Sequence, residues 1–251
     1  MKKAVLVFLN VCLYLLNLQS TVKFPVFVTP CINTLQVSAT ERADIERQTR
    51  KQAGSSVWHE ERKWRITASR FGDVAHATDR RCRDKLCKSI LDPPKLWNAA
   101  VLHGKELETV AKTVLEQQLQ ITVEPAGLFV CTDRPWLGAS PDGLVGTDAI
   151  VEIKCPYRGR KLKIVPSADF PFLEYRDGKP ALKEHNKYFC QVQGQLYITG
   201  RRTCLFFVYT FADTFLQQIE FDSEFCEQSM LPKLDSFYCT YFRKYIAKTL
   251  E

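Results

Sequence analysis

The stretch Ser140-Pro141-Asp142-Gly143, followed shortly by Val151-Glu152-Ile153-Lys154, decides the fold of this 251-residue chain. Pro-Asp-Gly predicts a turn that opens a strand, with Asp142 inside it. Glu152 and Lys154 are two residues apart on the next predicted strand, so their side chains project from the same face. Two carboxylates and one ammonium are therefore expected to converge.

This set of groups suits a divalent cation. Mg²⁺ takes oxygen ligands from one or two carboxylates, which Asp142, Glu152 and the Ile153 carbonyl can supply. Lys154 can then orient or deprotonate an attacking water and offset charge in a transition state. The alternative for so short a motif is a surface ion pair without chemistry.

Turn signals and apolar periodicity outward from this stretch predict a mixed order of helices and strands. Helices are predicted at 57–63, 69–77, 99–118, 187–199 and 224–248, the last interrupted near Pro232. Strands are predicted at 127–132, 140–146, 150–154, 203–210 and 216–221, the first three as an antiparallel meander. The segment 38–52 has helix-forming composition, with Thr40 as candidate N-cap. The order predicts a mixed α/β core without internal repeats.

Composition limits the classes of partner. Hydrophobic residues make up 45% of the chain and charged residues 25%, which is typical of a folded globular protein. Thirty-five Lys and Arg against 28 Asp and Glu give a net charge of +7, which suits nucleic acid, an anionic membrane surface or simply a soluble basic protein. The ten cysteines form no CxxC pair and no zinc spacing, which favours scattered thiols unless the chain is secreted.

The N-terminus has the layout of a secretory signal. Lys2 and Lys3 precede an apolar run at 4–18, and a poor cleavage site follows at 19–20. The run is too short to span a bilayer, so no membrane partner is expected. We predict a leader and linker at 1–57 and a folded domain at 58–251.

Five boxes between residues 58 and 211 resemble, in order, the YqaJ-type viral recombinase domain. They are Glu61-Arg62-Lys63-Trp64-Arg65-Ile66-Thr67-Ala68-Ser69, Gly104-Lys105-Glu106-Leu107-Glu108, Trp136-Leu137-Gly138-Ala139-Ser140-Pro141-Asp142-Gly143, Glu152-Ile153-Lys154-Cys155-Pro156-Tyr157 and Tyr188-Phe189-Cys190-Gln191-Val192-Gln193-Gly194-Gln195-Leu196-Tyr197. That family is similar to phage lambda exonuclease within the PD-(D/E)XK nuclease superfamily. The resemblance implies a restriction-endonuclease-like core, with a central mixed β-sheet flanked by helices.

The resemblance also implies an activity and its residues. The activity is hydrolysis of DNA phosphodiester bonds with Mg²⁺ or Mn²⁺, as a 5′ to 3′ exonuclease in recombination or repair. Asp142, Glu152 and Glu108 are implied metal ligands, and Lys154 is the implied catalytic lysine. The residues implied to line the site or hold the phosphate are Arg62, Ser69, Tyr188 and Gln191.

Several alternatives stay open at this point. Arg62 and Arg65 are three residues apart and can share a helix face, so either can be the phosphate ligand. Glu106 competes with Glu108 for the inward position. The basic run at 158–163 is either a nucleic-acid path or a solvated loop. We read Cys155 and Cys190 as packing groups rather than nucleophiles.

The function and the setting have alternatives as well. The chain can be a catalytically weak or inactive nucleic-acid-binding module of the same fold. The resemblance suggests a homo-oligomer, a trimer in the phage relative, and a single-strand annealing protein as partner. A nuclease function favours the nucleus or cytoplasm, whereas residues 1–20 leave secretion open.

Overall fold

The computed structural model describes residues 35–94 and 98–250. The predicted signal at 1–20, with its apolar run at 4–18, lies outside the described residues. Contacts divide the chain into Met1–Gln36 and Val37–Glu251, and every described helix and strand belongs to the second unit. The division into 1–57 and 58–251 stays a prediction, and a helix at Ala39–Gln48 lies inside the second unit.

The described α-helices are α1 (Ala39–Gln48), α2 (Ser56–Lys63), α3 (Phe71–Ala75), α4 (Arg83–Leu91), α5 (Ala99–Leu119), α6 (Lys187–Thr199), α7 (Leu231–Phe237) and α8 (Arg243–Leu250). The helix predicted at 69–77 is a 3-10 turn, Ala68–Arg70, continued by α3. The predicted terminal helix alternates between α7, α8 and two π-helical segments, Phe225–Met230 and Tyr238–Phe242. Helix α4 was not predicted. Of the described helices, none is long and apolar enough to cross a membrane.

Side-chain caps explain where the main helices begin. Ser38 caps α1 through a reciprocal pair of hydrogen bonds with Glu41, so Thr40 is not the N-cap that the sequence suggested. Asn98 Oδ1 accepts from the Val101 amide at the start of α5, at 2.9 Å. Asn186 accepts from the Tyr188 amide at the start of α6, at 3.0 Å. The two long helices that border the site are thus fixed at their N-termini.

The strands form a four-stranded main sheet and two smaller sheets. They are β1 (Ile66–Thr67), β2 (Phe129–Val130), β3 (Leu137–Ala139), β4 (Gly143–Val145), β5 (Ala149–Lys154), β6 (Leu173–Arg176), β7 (Lys179–Leu182), β8 (Thr203–Tyr209) and β9 (Thr214–Glu220). The main sheet has the order β4-β5-β8-β9. Its central pair β5 and β8 is parallel, and the two outer pairs are antiparallel. The predicted mixed sheet flanked by helices is confirmed.

The predicted meander is wrong in its first strand. Strand β2 pairs with β3 in a separate sheet of order β1-β3-β2, because the chain turns back at Arg134-Pro135 before β4 begins. Only β4 and β5 form the expected hairpin. The polar segment 158–184 also contains an unpredicted hairpin of β6 and β7.

Helix α6 crosses from the end of β7 to the start of β8 and packs between the main sheet and α3. Its Val192 and Leu196 belong to the same buried cluster as Phe206 of β8. On the other side, a Cβ added at Gly194 would lie 2.3 Å from the Phe71 ring of α3. A glycine is therefore needed where the two helices approach each other. The side chains of α6 that face β5 are held in place from both sides.

A charged cluster fixes the C-terminal helices. Arg134 Nε donates to Asp235 of α7 at 2.9 Å, and its NH1 donates to Tyr197 Oη of α6 at 2.7 Å. Tyr197 in turn donates to Asp133 at 2.7 Å, and Asp133 also pairs with Arg134. We call these four residues the Arg134 clamp. It joins the loop between β2 and β3 to α6 and α7.

Candidate active site

The centre of the site is the pair of charged residues at the end of β5. Lys154 Nζ donates to Glu152 Oε1, as their two-residue spacing on a strand predicts. The Glu152 side chain is only 1% exposed. A carboxylate buried to this degree requires hydrogen-bond partners for both oxygens.

Helix α6 provides these partners. Gln191 Nε2 donates to Glu152 Oε1 and Gln195 Nε2 donates to Glu152 Oε2, each at 2.7 Å. The two glutamines are four residues apart and therefore lie on one helix face. Gln191 was predicted to line the site. Gln195 was not among the predicted site residues, although its spacing from Gln191 was a usable signal.

Gln193 has a different role from its two neighbours. Its Nε2 donates to the Glu220 carbonyl at 2.9 Å, and its Oε1 accepts from the Asp222 amide at 2.8 Å. It therefore fixes the end of β9 on the opposite side of α6.

Asp142 lies beside the end of β5. Its Oδ2 accepts from the Ile153 amide at 2.6 Å, which leaves Oδ1 for another ligand. The amide and carbonyl of one strand residue point to the same side, so the Ile153 carbonyl also faces Asp142. Strand β4 begins at Gly143, opposite Val151, and thus has no residue opposite Ile153. The Ile153 carbonyl therefore accepts no ladder hydrogen bond from strand β4.

Glu108 completes the acidic group from helix α5. A cavity of about 210 Å³ is lined by Gly104, Glu108, Ile153, Lys154, Cys155, Pro156, Phe172 and Tyr188. Glu108 rather than Glu106 is at the cavity, as the family spacing implied. We call this cavity, with Asp142 and Glu152, the cleft.

Burial and neighbouring carboxylates raise the pKa of two carboxyl groups of the cleft. Burial and the nearby Glu152 and Glu108 raise the pKa of Asp142 well above its ordinary value. Burial and Glu152 likewise raise the pKa of Glu108. The Lys154 ammonium opposes both shifts, and Lys112 also opposes that of Glu108, without cancelling them. A further positive charge would relieve this repulsion.

Lys154 stays charged in this setting. Burial opposes its charged form, but Glu152 and Asp142 outweigh burial and raise the pKa of the ammonium. The ammonium also lies 4.6 Å from the centre of the Tyr188 ring. Tyr188, which was predicted to line the site, therefore forms one wall beside Lys154.

The described arrangement does not form a ready-made metal cage. Within residues 35–94 and 98–250, no group of three or more His, Cys, Asp or Glu residues is arranged to hold a metal ion. The reason lies at Glu152, whose two oxygens accept from Lys154, Gln191 and Gln195. The predicted ligands Asp142 and Glu108 border the cleft close enough to Glu152 for its charge to raise the pKa of both.

Arg62 is a cation without a carboxylate partner among the described residues. Its guanidinium carbon lies 3.9 Å from the centre of the Trp58 ring. Burial lowers its pKa to about 10. Trp58 Nε1 donates to Ser140 Oγ at 3.0 Å, two residues before Asp142. Arg62 is thus fixed against the turn that carries Asp142.

Arg65 is not available to a phosphate. Its side chain is 2% exposed, and its guanidinium donates to the Pro135 carbonyl at 2.9 Å and to the Glu61 carbonyl at 2.7 Å. Of the two arginines that the sequence offers as phosphate ligands, Arg62 therefore remains the candidate. Ser69 is exposed on the 3-10 turn after β1, with its hydroxyl 3.3 Å from Thr67 Oγ1.

The cysteines beside the motifs have the environment of packing groups. Burial raises the pKa of Cys155 to about 12 and that of Cys190 to about 11. Both thiols are therefore protonated at neutral pH and poor nucleophiles. All described cysteines are free thiols.

Comparisons with known proteins agree with this fold. The model of the YqaJ-like viral recombinase domain matches residues 57–202. No curated protein matches the chain. An alkaline exonuclease (LHK-Exo) from Laribacter hongkongensis is 27% identical, with a TM-score of 0.55, over 76% of this chain and 96% of that chain. Its complex with dAMP is 28% identical, with a TM-score of 0.58 and the same coverage.

A third solved structure shows the fold alone. The shutoff and exonuclease protein from Kaposi's sarcoma-associated herpesvirus is 13% identical, with a TM-score of 0.52, over 86% of this chain and 75% of that chain. The predicted family resemblance is confirmed by the match to more than half of the chain. The chain belongs to the family of the YqaJ-like viral recombinase domain.

Proposed function

We propose that this chain is a metal-dependent deoxyribonuclease that hydrolyses DNA phosphodiester bonds and acts as a 5′ to 3′ exonuclease in recombination or repair. One observation carries the proposal. Glu152 and Lys154 meet in the cleft beside Asp142 and Glu108, and two glutamines of α6 hold Glu152 in place. Family membership and the likeness to alkaline exonucleases support the same activity.

The donor set fits a divalent cation. Asp142 Oδ1, the Ile153 carbonyl and Glu108 are hard oxygen donors that border the cleft, and burial together with the nearby Glu152 raises the pKa of both carboxyls. Glu152 would join them if Lys154 turned away from it. When bound, Mg²⁺ or Mn²⁺ supplies Lewis-acid polarisation of the phosphate and neutralises charge that develops in the transition state.

We assign Lys154 the role of the catalytic lysine. As an ammonium it can orient the attacking water and stabilise negative charge on a phosphoryl oxygen, and as a free amine it can accept a proton from that water. Tyr188 and Gln191 hold it in place, since both contact its ammonium.

Arg62 and Ser69 are the proposed ligands of a DNA phosphate. Arg62 has a positioned guanidinium without a carboxylate in the described chain, and a phosphate supplies the missing charge. Ser69 adds an exposed hydroxyl to the same part of the fold, after β1. A 5′-terminal phosphate held here would favour cleavage from the 5′ end.

The second candidate is an inactive nucleic-acid-binding module of the same fold. The presence of Asp142, Glu152 and Lys154 argues against this second candidate. Buried carboxylates that repel one another destabilise a protein, and a module without catalysis gains nothing from them. A homo-oligomer and a single-strand annealing partner remain part of the proposal.

One experiment tests both candidates. The purified chain is incubated with end-labelled linear duplex, with or without a 5′-phosphate, and with closed circular duplex, each in Mg²⁺ and in EDTA. We expect Mg²⁺-dependent loss of the linear duplex, faster with the 5′-phosphate, and survival of the circle. Binding of linear DNA without cleavage would support the inactive module, and cleavage of the circle would contradict the exonuclease assignment.

A further inference from the structure

Aromatic side chains from three separate segments meet beside the cleft. The ring of His103 on α5 lies 5.5 Å from the ring of Tyr157 and 5.7 Å from that of Phe211, edge to face in both cases. Tyr157 is 38% exposed and Phe211 57% exposed. We call these three residues the aromatic shelf. Sequence reasoning missed it because its members are far apart in the chain.

The shelf borders the cleft directly. Cys155 and Pro156, which line the cavity, connect Lys154 to Tyr157. On α5, His103 is followed by Gly104, which also lines the cavity. A strand whose scissile phosphate lies at Lys154 therefore has its neighbouring nucleotides within reach of the shelf.

The exposed rings sit on a fixed backbone. The Phe211 amide donates to the Arg160 carbonyl at 2.8 Å, and Thr210 Oγ1 donates to the Leu162 carbonyl at 3.0 Å. These bonds tie the segment after β8 to the segment after β5. Adjacent exposed aromatic rings on a rigid support indicate a surface that binds a partner.

The charges around the shelf indicate the chemistry of that partner. Arg160 lies 4.1 Å from the centre of the Tyr157 ring and donates to the Tyr157 carbonyl at 3.0 Å. Lys161 and Lys163 are exposed nearby in the chain. Burial, followed by Arg160, lowers the pKa of His103, so its ring is neutral at neutral pH. Flat apolar faces beside cations match a nucleobase joined to phosphates.

A second copy of this chain fits the shelf less well. The chain has a net charge of +7, and the basic run at 158–163 follows Tyr157 of the shelf directly. Two such surfaces would repel each other, whereas a nucleic acid brings the opposite charge.

We propose that the aromatic shelf stacks a nucleobase of the DNA strand whose phosphodiester enters the cleft, while Arg160 and the lysines beside it contact the strand's phosphates. The inference rests on the proposed nuclease function and adds a base-binding surface to it.

Gly104 supports this path for the strand. It lies inside α5, where glycine destabilises a helix relative to alanine. A Cβ at this position would meet no atom within 4 Å, so packing within the described chain does not require the glycine. Its missing side chain leaves room for the strand to pass between α5 and the shelf.

The test measures binding without cleavage. A 5′-phosphorylated duplex with a short single-stranded end that carries 2-aminopurine is titrated with protein in EDTA, and fluorescence reports both affinity and stacking. We expect Phe211→Ala and Tyr157→Ala to bind about tenfold more weakly and to lose the quenching, and Phe211→Trp to keep both. Tyr175→Ala is the matched control, because Tyr175 is 61% exposed on the β6 and β7 hairpin. It should behave like the unchanged chain.

Gly104→Ala gives a second readout that a structural role would not produce. We expect it to raise the thermal midpoint by about 2–4 °C and yet to weaken DNA binding. If Phe211→Ala has the same DNA affinity and the same quenching as Tyr175→Ala, the proposed role of the aromatic shelf is overturned. So would a change of oligomeric state in Phe211→Ala, measured by light scattering, with unchanged affinity per chain.

The proposed nuclease function is tested separately from the aromatic shelf. Cleavage of linear DNA by the unchanged chain in Mg²⁺, together with normal binding by Phe211→Ala, refutes the shelf alone. Absence of both cleavage and binding in the unchanged chain refutes both proposals.

Discussion

Helix α6 carries side chains into two charged clusters that differ in the excess of negative charge. In the Arg134 clamp, one guanidinium binds two aspartates and a tyrosine hydroxyl. In the cleft, three carboxylates lie near the Lys154 ammonium. Hydrogen bonds and the guanidinium offset the excess charge in the clamp, whereas it stays uncompensated in the cleft.

The pKa shifts show the difference. Burial alone would raise the pKa of Asp133, but hydrogen bonds from Tyr197 and Cys131, together with Arg134, lower it. The pKa values of Asp142 and Glu108 are raised, by burial and by neighbouring carboxylates. The clamp therefore stabilises the fold, whereas the cleft costs stability. Such a cost is typical of a site that binds a cation and substrate.

The largest expected effect separates turnover from stability in the cleft. Asp142→Asn should lower DNA hydrolysis by about 1,000-fold or more, which is about 4 kcal/mol of transition-state stabilisation. It should leave the free energy of unfolding equal or higher, because it removes a repelling charge. Single-turnover kinetics and chemical denaturation measure the two quantities. Asp148→Asn is the control, since Asp148 pairs with Arg202 on the surface.

The clamp should give the reverse result. Arg134→Met removes the donor to Asp235 and Tyr197 and should lower the free energy of unfolding by about 1–3 kcal/mol. Turnover per folded molecule should stay within about twofold of the unchanged chain. A loss of turnover as large as that of Asp142→Asn would show that the two clusters are not separable.

The pH dependence of stability should have opposite signs in the two clusters. Asp142 binds its proton more tightly in the folded chain, so its contribution to stability falls as pH rises from about 4 to its folded pKa. Asp133 binds its proton less tightly, so its contribution is present above about 4 and is lost as pH falls through its lowered pKa. Denaturation at several pH values measures both. The stability advantage of Asp142→Asn should grow above pH ~4, and the deficit of Arg134→Met should shrink below it.

The smallest effect distinguishes glutamines on the same helix. Gln195→Leu leaves one Glu152 oxygen without its donor and should lower turnover by about 10- to 100-fold. Gln193→Leu loses only backbone partners at the end of β9 and should affect stability but not turnover per folded molecule. Equal turnover in the two variants would show that Gln195 has no role in the site.

Local patterns predicted the parts of this structure that local chemistry determines. Helix α6 follows from Asn186 as cap and Gly200 as stop, and its predicted span 187–199 is the observed one. Glu152 and Lys154 meet because strand spacing alone places them on one face. The missed β6 and β7 hairpin also had a local signal in Asp177-Gly178, whose positive φ values of 52° and 75° fit a type I′ turn.

Other features depend on contacts between distant segments. Nothing near β3 in the chain indicates that β1, which lies far earlier in the sequence, pairs with it in parallel. Arg62 and Arg65 look equivalent in sequence. Only the buried hydrogen bond from Arg65 to the Pro135 carbonyl shows which of the two guanidinium groups is inaccessible. The aromatic shelf needs residues 103, 157 and 211 together. Pairing between distant segments is not readable from one sequence without homologues.

If Glu152 belongs to a working nuclease site, its substitution abolishes hydrolysis. The initial rate of nucleotide release from 5′-phosphorylated linear duplex in Mg²⁺ tests this for the unchanged chain and for Glu152→Gln. Glu116→Gln is the matched control, because the Glu116 side chain on α5 accepts from the Val123 amide at 2.8 Å and does not line the cavity. We expect release by the unchanged chain and by Glu116→Gln, and none above background by a folded Glu152→Gln. Release by Glu152→Gln at the rate of the unchanged chain would contradict this role of Glu152.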